Sequence, residues 1–102
     1  MVDIEWTDEA KKWLKEIYEY IAKENPIAAK NVVNGIYDKA QILRSFPEIG
    51  YLFEHESKRK IRIILYGHYR IAYEILNQNN IAVLGVFHGK MIIENHLKIK
   101  RI

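Results

Sequence analysis

The sequence is poor in the residues on which several common kinds of protein depend. It contains no cysteine, which excludes disulfide scaffolds and thiolate-ligated zinc or iron–sulfur sites. Only two prolines and five glycines occur in 102 residues that are 49% hydrophobic, which excludes collagen-like and low-complexity chains. No apolar run approaches the roughly 18 residues that a membrane helix needs. The composition is typical of a single domain over residues 1–102 with one modest core.

Targeting and cofactor signals are also missing. The first residues, Met1–Glu5, show no basic stretch followed by an apolar run, so we expect no signal peptide and a cytoplasmic location. No glycine-rich phosphate loop occurs, so we expect no small-molecule cofactor. The four histidines show no metal-ligand spacing with carboxylates, so we expect no metal site. They are His55, His68, His88 and His96. Because no long apolar run occurs, we also expect no contact with a membrane.

Charge is distributed unevenly along the chain. Residues 1–56 carry seven basic and eleven acidic side chains, a net charge of −4, whereas residues 57–102 carry nine basic and two acidic ones, a net charge of +7. A basic half of this kind indicates an anionic partner, either a nucleic acid or an acidic protein. The alternative is that lysine and arginine simply solvate strand faces and a tail.

The first half of the chain follows the 3.6-residue period of amphipathic helices. Thr7 is a suitable N-cap for a first helix. Asn25 followed by Pro26 ends that helix and begins a second one, which continues to about Ser45. Two helices connected this tightly are expected to form an antiparallel hairpin.

The period changes to two residues in the second half, which is typical of strands. Ile81–His88 is almost wholly apolar, so we expect it to be a central strand covered on both faces. Residues 91–102 fit either a short helix or a strand. The predicted strands are Val2–Trp6, Lys60–Tyr66, Tyr69–Leu76 and Ile81–His88.

The order β-α-α-β-β-β predicts an α+β fold in which the helical hairpin packs on one face of a mainly antiparallel four-stranded sheet. We expect Arg62 and Arg70, on neighbouring strands, to gather on the other face. Lys60 shares the face of Arg62 by alternation. Together these three cations are predicted to bind phosphate or nucleic acid.

Arg62, Arg70 and His88 also suggest a catalytic hypothesis. Two arginines can hold a phosphate and stabilise its pentavalent transition state, and a histidine can transfer a proton, which is a minimal set for metal-independent RNA cleavage through the ribose 2′-hydroxyl. The competing interpretation is structural. An arginine on a strand commonly pairs with a carboxylate such as Glu74, and His88 next to Gly89 commonly ends a strand.

Several short motifs occur in a consistent order over about residues 3–90. They are Trp6-Thr7-x-Glu9-Ala10 with Ile17–Ala22 and Asn25-Pro26, then Leu43-x-x-Phe46-Pro47-x-x-Gly50, then Tyr69-Arg70-Ile71-x-Tyr73, and finally Val83–Gly89. In this order they resemble the RelE/ParE superfamily, the toxins of type II toxin–antitoxin modules, which include plasmid-stabilisation systems. The resemblance implies a toxin that arrests growth. It also implies a cognate antitoxin that wraps the toxin, and we expect the acidic or amphipathic end of that antitoxin to cover the basic sheet face and the helical hairpin.

The superfamily has two branches with different targets. One cleaves ribosome-bound mRNA, and its strand arginine and late histidine match Arg70 and His88; a carboxylate base, where used, would come from the loop with Glu54 and Glu56. The mRNA-cleaving members usually follow that histidine with an aromatic residue, whereas this chain has Gly89. The resemblance therefore favours the other branch, which inhibits DNA gyrase. A non-toxic RNA- or protein-binding module with the same fold is the third alternative.

Overall fold

Two helices and a twisted sheet make up the part of the chain that the structure, a computed structural model, describes, namely residues 2–53 and 59–89. Their order follows the sequence-based prediction, with one additional short strand. The elements are β1 (Asp3–Trp6), α1 (Asp8–Ala22), α2 (Pro26–Ala40), a 3₁₀ turn (Gln41–Arg44), β2 (Tyr51–Phe53), β3 (Ile61–Tyr66), β4 (Tyr69–Asn77) and β5 (Asn80–His88).

Both helices begin at the predicted residues. The Thr7 side chain accepts a hydrogen bond from the Ala10 amide at 3.1 Å and caps α1, while the Asn25 side chain accepts one from the Ala28 amide at 3.0 Å and caps α2. Pro26 occupies the first turn of α2, where its missing N–H costs nothing. The helical conformation ends at Arg44, close to the predicted end at about Ser45, although its last four residues, Gln41–Arg44, form a 3₁₀ turn rather than α-helix. No helix in the described ranges is long and apolar enough to cross a membrane.

The five strands form one sheet in the order β1-β5-β4-β3-β2. β1 runs parallel to β5, and all the other neighbouring pairs are antiparallel. This architecture confirms the α+β class and the mainly antiparallel sheet. Residues 2–53 and 59–89 contain one strand more than the four predicted, because β2 was not among the predicted strands. The predicted helix or strand at residues 91–102 lies outside the described residues.

Each face of the sheet buries apolar side chains. One cluster joins the helical hairpin and the 3₁₀ turn to the sheet, and it includes Ile36, Leu43 and Val86. A second cluster contains Phe87, the next residue of β5, whose ring meets the Trp13 indole edge-on at a centroid distance of 5.0 Å. Because consecutive residues of β5 enter different clusters, this strand is covered on both faces, as its apolar sequence predicted.

The register of β3 and β4 corrects the expected placement of the two strand arginines. Arg62 lies opposite Tyr73, whereas Arg70 lies opposite Leu65. Residues that face each other across a ladder share a face, and side chains alternate along each strand. Arg62 and Arg70 therefore project from opposite faces of the sheet, and the prediction that they gather on one face is wrong.

Candidate functional site

Arg62 holds the loop that leads into β2. Its guanidinium donates hydrogen bonds to the carbonyl oxygens of Gly50, at 2.8 Å, and Glu48, at 3.2 Å. The Glu48 carboxylate is 4.0 Å from the same guanidinium and is largely exposed, so it adds little. Arg62 therefore donates hydrogen bonds to backbone carbonyls of its own chain and stabilises the conformation of this loop.

Tyr73 also forms hydrogen bonds with the loop that leads into β2. Its side chain is completely buried, its hydroxyl donates to the Pro47 carbonyl at 2.7 Å, and it accepts from the Gly50 amide at 2.9 Å. Burial raises the pKa of Tyr73 above its usual value, and the Gly50 amide and Arg62 oppose that shift. We call Arg62, Tyr73 and the loop Phe46–Gly50 the loop latch.

Two further basic residues in the described part of the chain, Arg59 and Lys60, lie just before β3. Glu74 pairs with Arg59 at 2.8 Å, and that hydrogen bond raises the pKa of Arg59. The structural interpretation, in which an arginine on a strand pairs with Glu74, therefore named the right carboxylate. The arginine that pairs with it is Arg59, which precedes β3. Lys60 is exposed beside this pair. Its role in binding phosphate stays a prediction.

A shallow groove of about 330 Å³ lies beside the turn between β3 and β4, and its lining includes Arg70, His68 and His88. The His68 and His88 rings are stacked with their centroids 6.2 Å apart. Arg70 donates to the carbonyl of Gly89 at 3.4 Å, and the Gly89 amide donates to the carbonyl of His68 at 2.7 Å. We call this the turn groove.

Aromatic side chains separate the turn groove from α1. The Tyr69 ring packs edge-on against the His88 ring, with the centroids 5.8 Å apart. Burial, followed by the influence of Tyr20, raises the pKa of Tyr69. His88 also lines a second groove of about 520 Å³, in which α1 contributes Trp13 and Glu16. His88 therefore lines both grooves, one together with Arg70 and the other together with Glu16.

The structure brings together only part of the residue set predicted for catalysis. Arg70 and His88 line the same groove at the end of the β4–β5 ladder, although the register places them on opposite faces of the sheet, whereas Arg62 belongs to the loop latch and does not line this groove. His68 was not predicted as a site residue. The hairpin pairing of Tyr69 with His88 provides the signal for it, because that register places the residue before Tyr69 next to the end of β5.

A metal-dependent site finds no support in the described part of the chain, where no three His, Asp or Glu side chains converge. Glu54 and Glu56, the predicted sources of a carboxylate base, lie outside the described residues. What the turn groove offers is one guanidinium, two imidazoles and backbone carbonyls. Such a set can bind an anion or transfer a proton.

Comparisons with known proteins agree with the fold and with the family resemblance. Residues 4–93 match the family described as "ParE toxin of type II toxin-antitoxin system, parDE". One similar solved structure is "Chromosomal ParDE TA system from P. aeruginosa", with a TM-score of 0.71 and 20% sequence identity over 86% of this chain and 96% of that chain. At this identity the structural likeness shows the fold alone. No curated protein matches the sequence.

Proposed function

The chain belongs to the ParE toxin family of type II toxin–antitoxin systems, and from that membership we propose that it arrests growth by binding DNA gyrase. In this proposal the toxin acts in the cytoplasm as an inhibitor, without a catalytic centre of its own. Its other partner is the cognate antitoxin, which the family implies.

The observation that carries the proposal is the dispersal of the residues that RNA cleavage would require. Arg62 points away from Arg70 and donates to the carbonyls of Glu48 and Gly50. Gly89 stands where the mRNA-cleaving branch usually has an aromatic side chain. Among the described residues that line the turn groove, Arg70 is the one guanidinium that could stabilise the phosphate, and the position after His88 carries no side chain that could stack on a base.

A supercoiling assay tests this proposal. Purified toxin added to gyrase, relaxed plasmid and ATP should inhibit supercoiling in a dose-dependent manner. Toxin that has first been saturated with antitoxin is the control, and it should leave supercoiling unchanged. Full gyrase activity at saturating free toxin would contradict the proposal.

A second candidate function is ribosome-dependent mRNA cleavage, and the turn groove is the observation that favours it. Arg70, His68 and His88 border one groove, so a phosphate bound by Arg70 would have two imidazoles nearby. Primer extension on translated mRNA should then show cuts that disappear in Arg70→Ala. Arg62→Ala, outside the turn groove, is the control and should retain cleavage. Intact messages after induction of the wild-type toxin would exclude this candidate.

A further inference from the structure

The groove of about 520 Å³ between α1 and the end of the sheet has the size of a small-molecule site. One wall comes from α1, whose lining residues are spaced three or four positions apart and therefore share a helix face. The other wall comes from β4 and β5. We call it the aromatic groove, and its lining includes Trp13, Glu16, Tyr20, Tyr69 and His88.

Three aromatic rings border the aromatic groove from two sides. Trp13 and Tyr20 lie on α1, and Tyr69 lies on β4. Tyr20 is 78% exposed, so most of its ring is presented to solvent. Its influence on the pKa of Tyr69 shows that the two phenols approach each other across the groove. The faces of such rings carry partial negative charge and attract a cation placed over them.

The charge of the lining has the same sign as the ring faces. Glu16 is the one carboxylate among the described residues that line the aromatic groove, and neither lysine nor arginine is among them. The other titratable groups there are His88 and the two tyrosines. In a chain with a formal net charge of +3, this groove is therefore a local site for a cation.

The lining offers a ligand few hydrogen-bond acceptors. Besides Glu16, its polar side chains are the two phenols and the His88 ring. A primary ammonium has three N–H donors and is strongly hydrated, so it would lose hydrogen bonds on entering such a groove. A quaternary ammonium has no N–H donor, and its methyl groups pack directly against aromatic rings.

From these observations we propose that the aromatic groove binds a small quaternary ammonium compound. The cationic head lies against the rings of Trp13, Tyr20 and Tyr69, and Glu16 provides the opposite charge. The ligand is a free small molecule, and its binding depends neither on the toxin's target nor on the antitoxin.

An NMR titration of free toxin with choline tests the class of ligand. The first comparison compound is the neutral isostere of choline, in which a tert-butyl group replaces the trimethylammonium group, and the second is butylammonium. Choline should bind at least about tenfold more tightly than the isostere and at least about threefold more tightly than butylammonium. It should shift the indole N–H signal of Trp13 but not that of Trp6, which stacks on Tyr37 and does not line the groove. No shift of the Trp13 signal, or equal affinity for choline and either comparison compound, would overturn the proposal.

Matched substitutions on α1 test the side chains. Tyr20→Leu should weaken choline binding at least about threefold, whereas Tyr20→Phe keeps the ring and should stay within about twofold of the wild type. Tyr18→Leu is the control, because Tyr18 lies on the same helix outside the groove lining. Glu16→Gln should weaken binding at least about threefold, whereas Glu19→Gln, at another exposed position of α1, should not. Equal effects of Tyr20→Leu and Tyr18→Leu, or of the two glutamine variants, would overturn the proposal.

A lipid headgroup is the other source of a quaternary ammonium, and a sedimentation assay distinguishes it. Vesicles of phosphatidylcholine should leave the wild-type toxin in the supernatant. Sedimentation with these vesicles that Tyr20→Leu abolishes would overturn the assignment to a free small molecule.

Discussion

At the scale of single side chains, the buried hydroxyl of Tyr73 contributes to stability through two hydrogen bonds. Tyr73→Phe should lower the free energy of unfolding by about 1–3 kcal/mol, since the Gly50 amide and the Pro47 carbonyl would both lose their partner next to the core. Urea denaturation measures the change. Tyr20→Phe is the control, because Tyr20 is 78% exposed, and it should alter stability by less than about 0.5 kcal/mol. Equal effects of the two changes would contradict the role of the buried hydroxyl.

Gly35 is required by a close approach between α2 and the sheet. A Cβ at this position would overlap the hydroxyl and the ring carbon of Tyr66 that bears it. Gly35→Ala should therefore destabilise the fold by about 1–3 kcal/mol, although alanine is the better helix former. In a Tyr66→Ala background the same change should be neutral or stabilising by up to about 1 kcal/mol. An equal cost in both backgrounds, measured by denaturation, would show that the overlap is not the cause.

At the scale of elements, Thr7 links the first helix to the sheet. Its hydroxyl accepts from the Ala10 amide at 3.1 Å and donates to the Val83 carbonyl of β5 at 2.8 Å. Thr7→Ala should cost about 1–2 kcal/mol of stability, whereas Thr7→Ser keeps the hydroxyl and should stay within about 0.5 kcal/mol of the wild type. Thermal unfolding of the two variants distinguishes loss of the cap from loss of the methyl group.

The elements differ in how well local sequence predicts them. Both helices could be predicted because cap residues and a 3.6-residue period occur together. β2 could not, since its three residues are too few to show alternation and two of them, Tyr51 and Leu52, are half exposed. The 3₁₀ turn was missed because its apolar residues continue the spacing of α2.

The candidate site was harder to predict than the fold because it depends on register. The two-residue turn at Gly67-His68 pairs Tyr66 with Tyr69 and thereby sets Arg62 opposite Tyr73. Assigning faces strand by strand, without counting through that turn, placed Arg62 beside Arg70. The hydrogen bonds of Arg62 to Glu48 and Gly50 follow no local pattern, since they depend on how the loop folds back over β3.

For the molecule as a whole, the raised tyrosine pKa values predict a loss of stability in alkali. Tyr69 and Tyr73 hold their protons more tightly when folded than their ordinary pKa of 10.0 allows. Their contribution to stability is therefore complete below about pH 10 and declines as pH rises through the folded-state pKa, because the unfolded chain then binds fewer protons. Tyr69→Phe should show a smaller decline than the wild type between about pH 9 and 11 in urea denaturation. Parallel curves would contradict this expectation.

The parallel pairing of β1 with β5 has a consequence for biosynthesis. Asp3 pairs with Asn80, and Trp6 pairs with Val83, so β1, which is synthesised before both helices, pairs with a strand that is synthesised after β4. A contact between such distant positions closes a long loop and forms slowly compared with the helical hairpin between them. A nascent chain on the ribosome can thus form α1 and α2 early, yet it reaches its five-stranded form only after β5 has emerged.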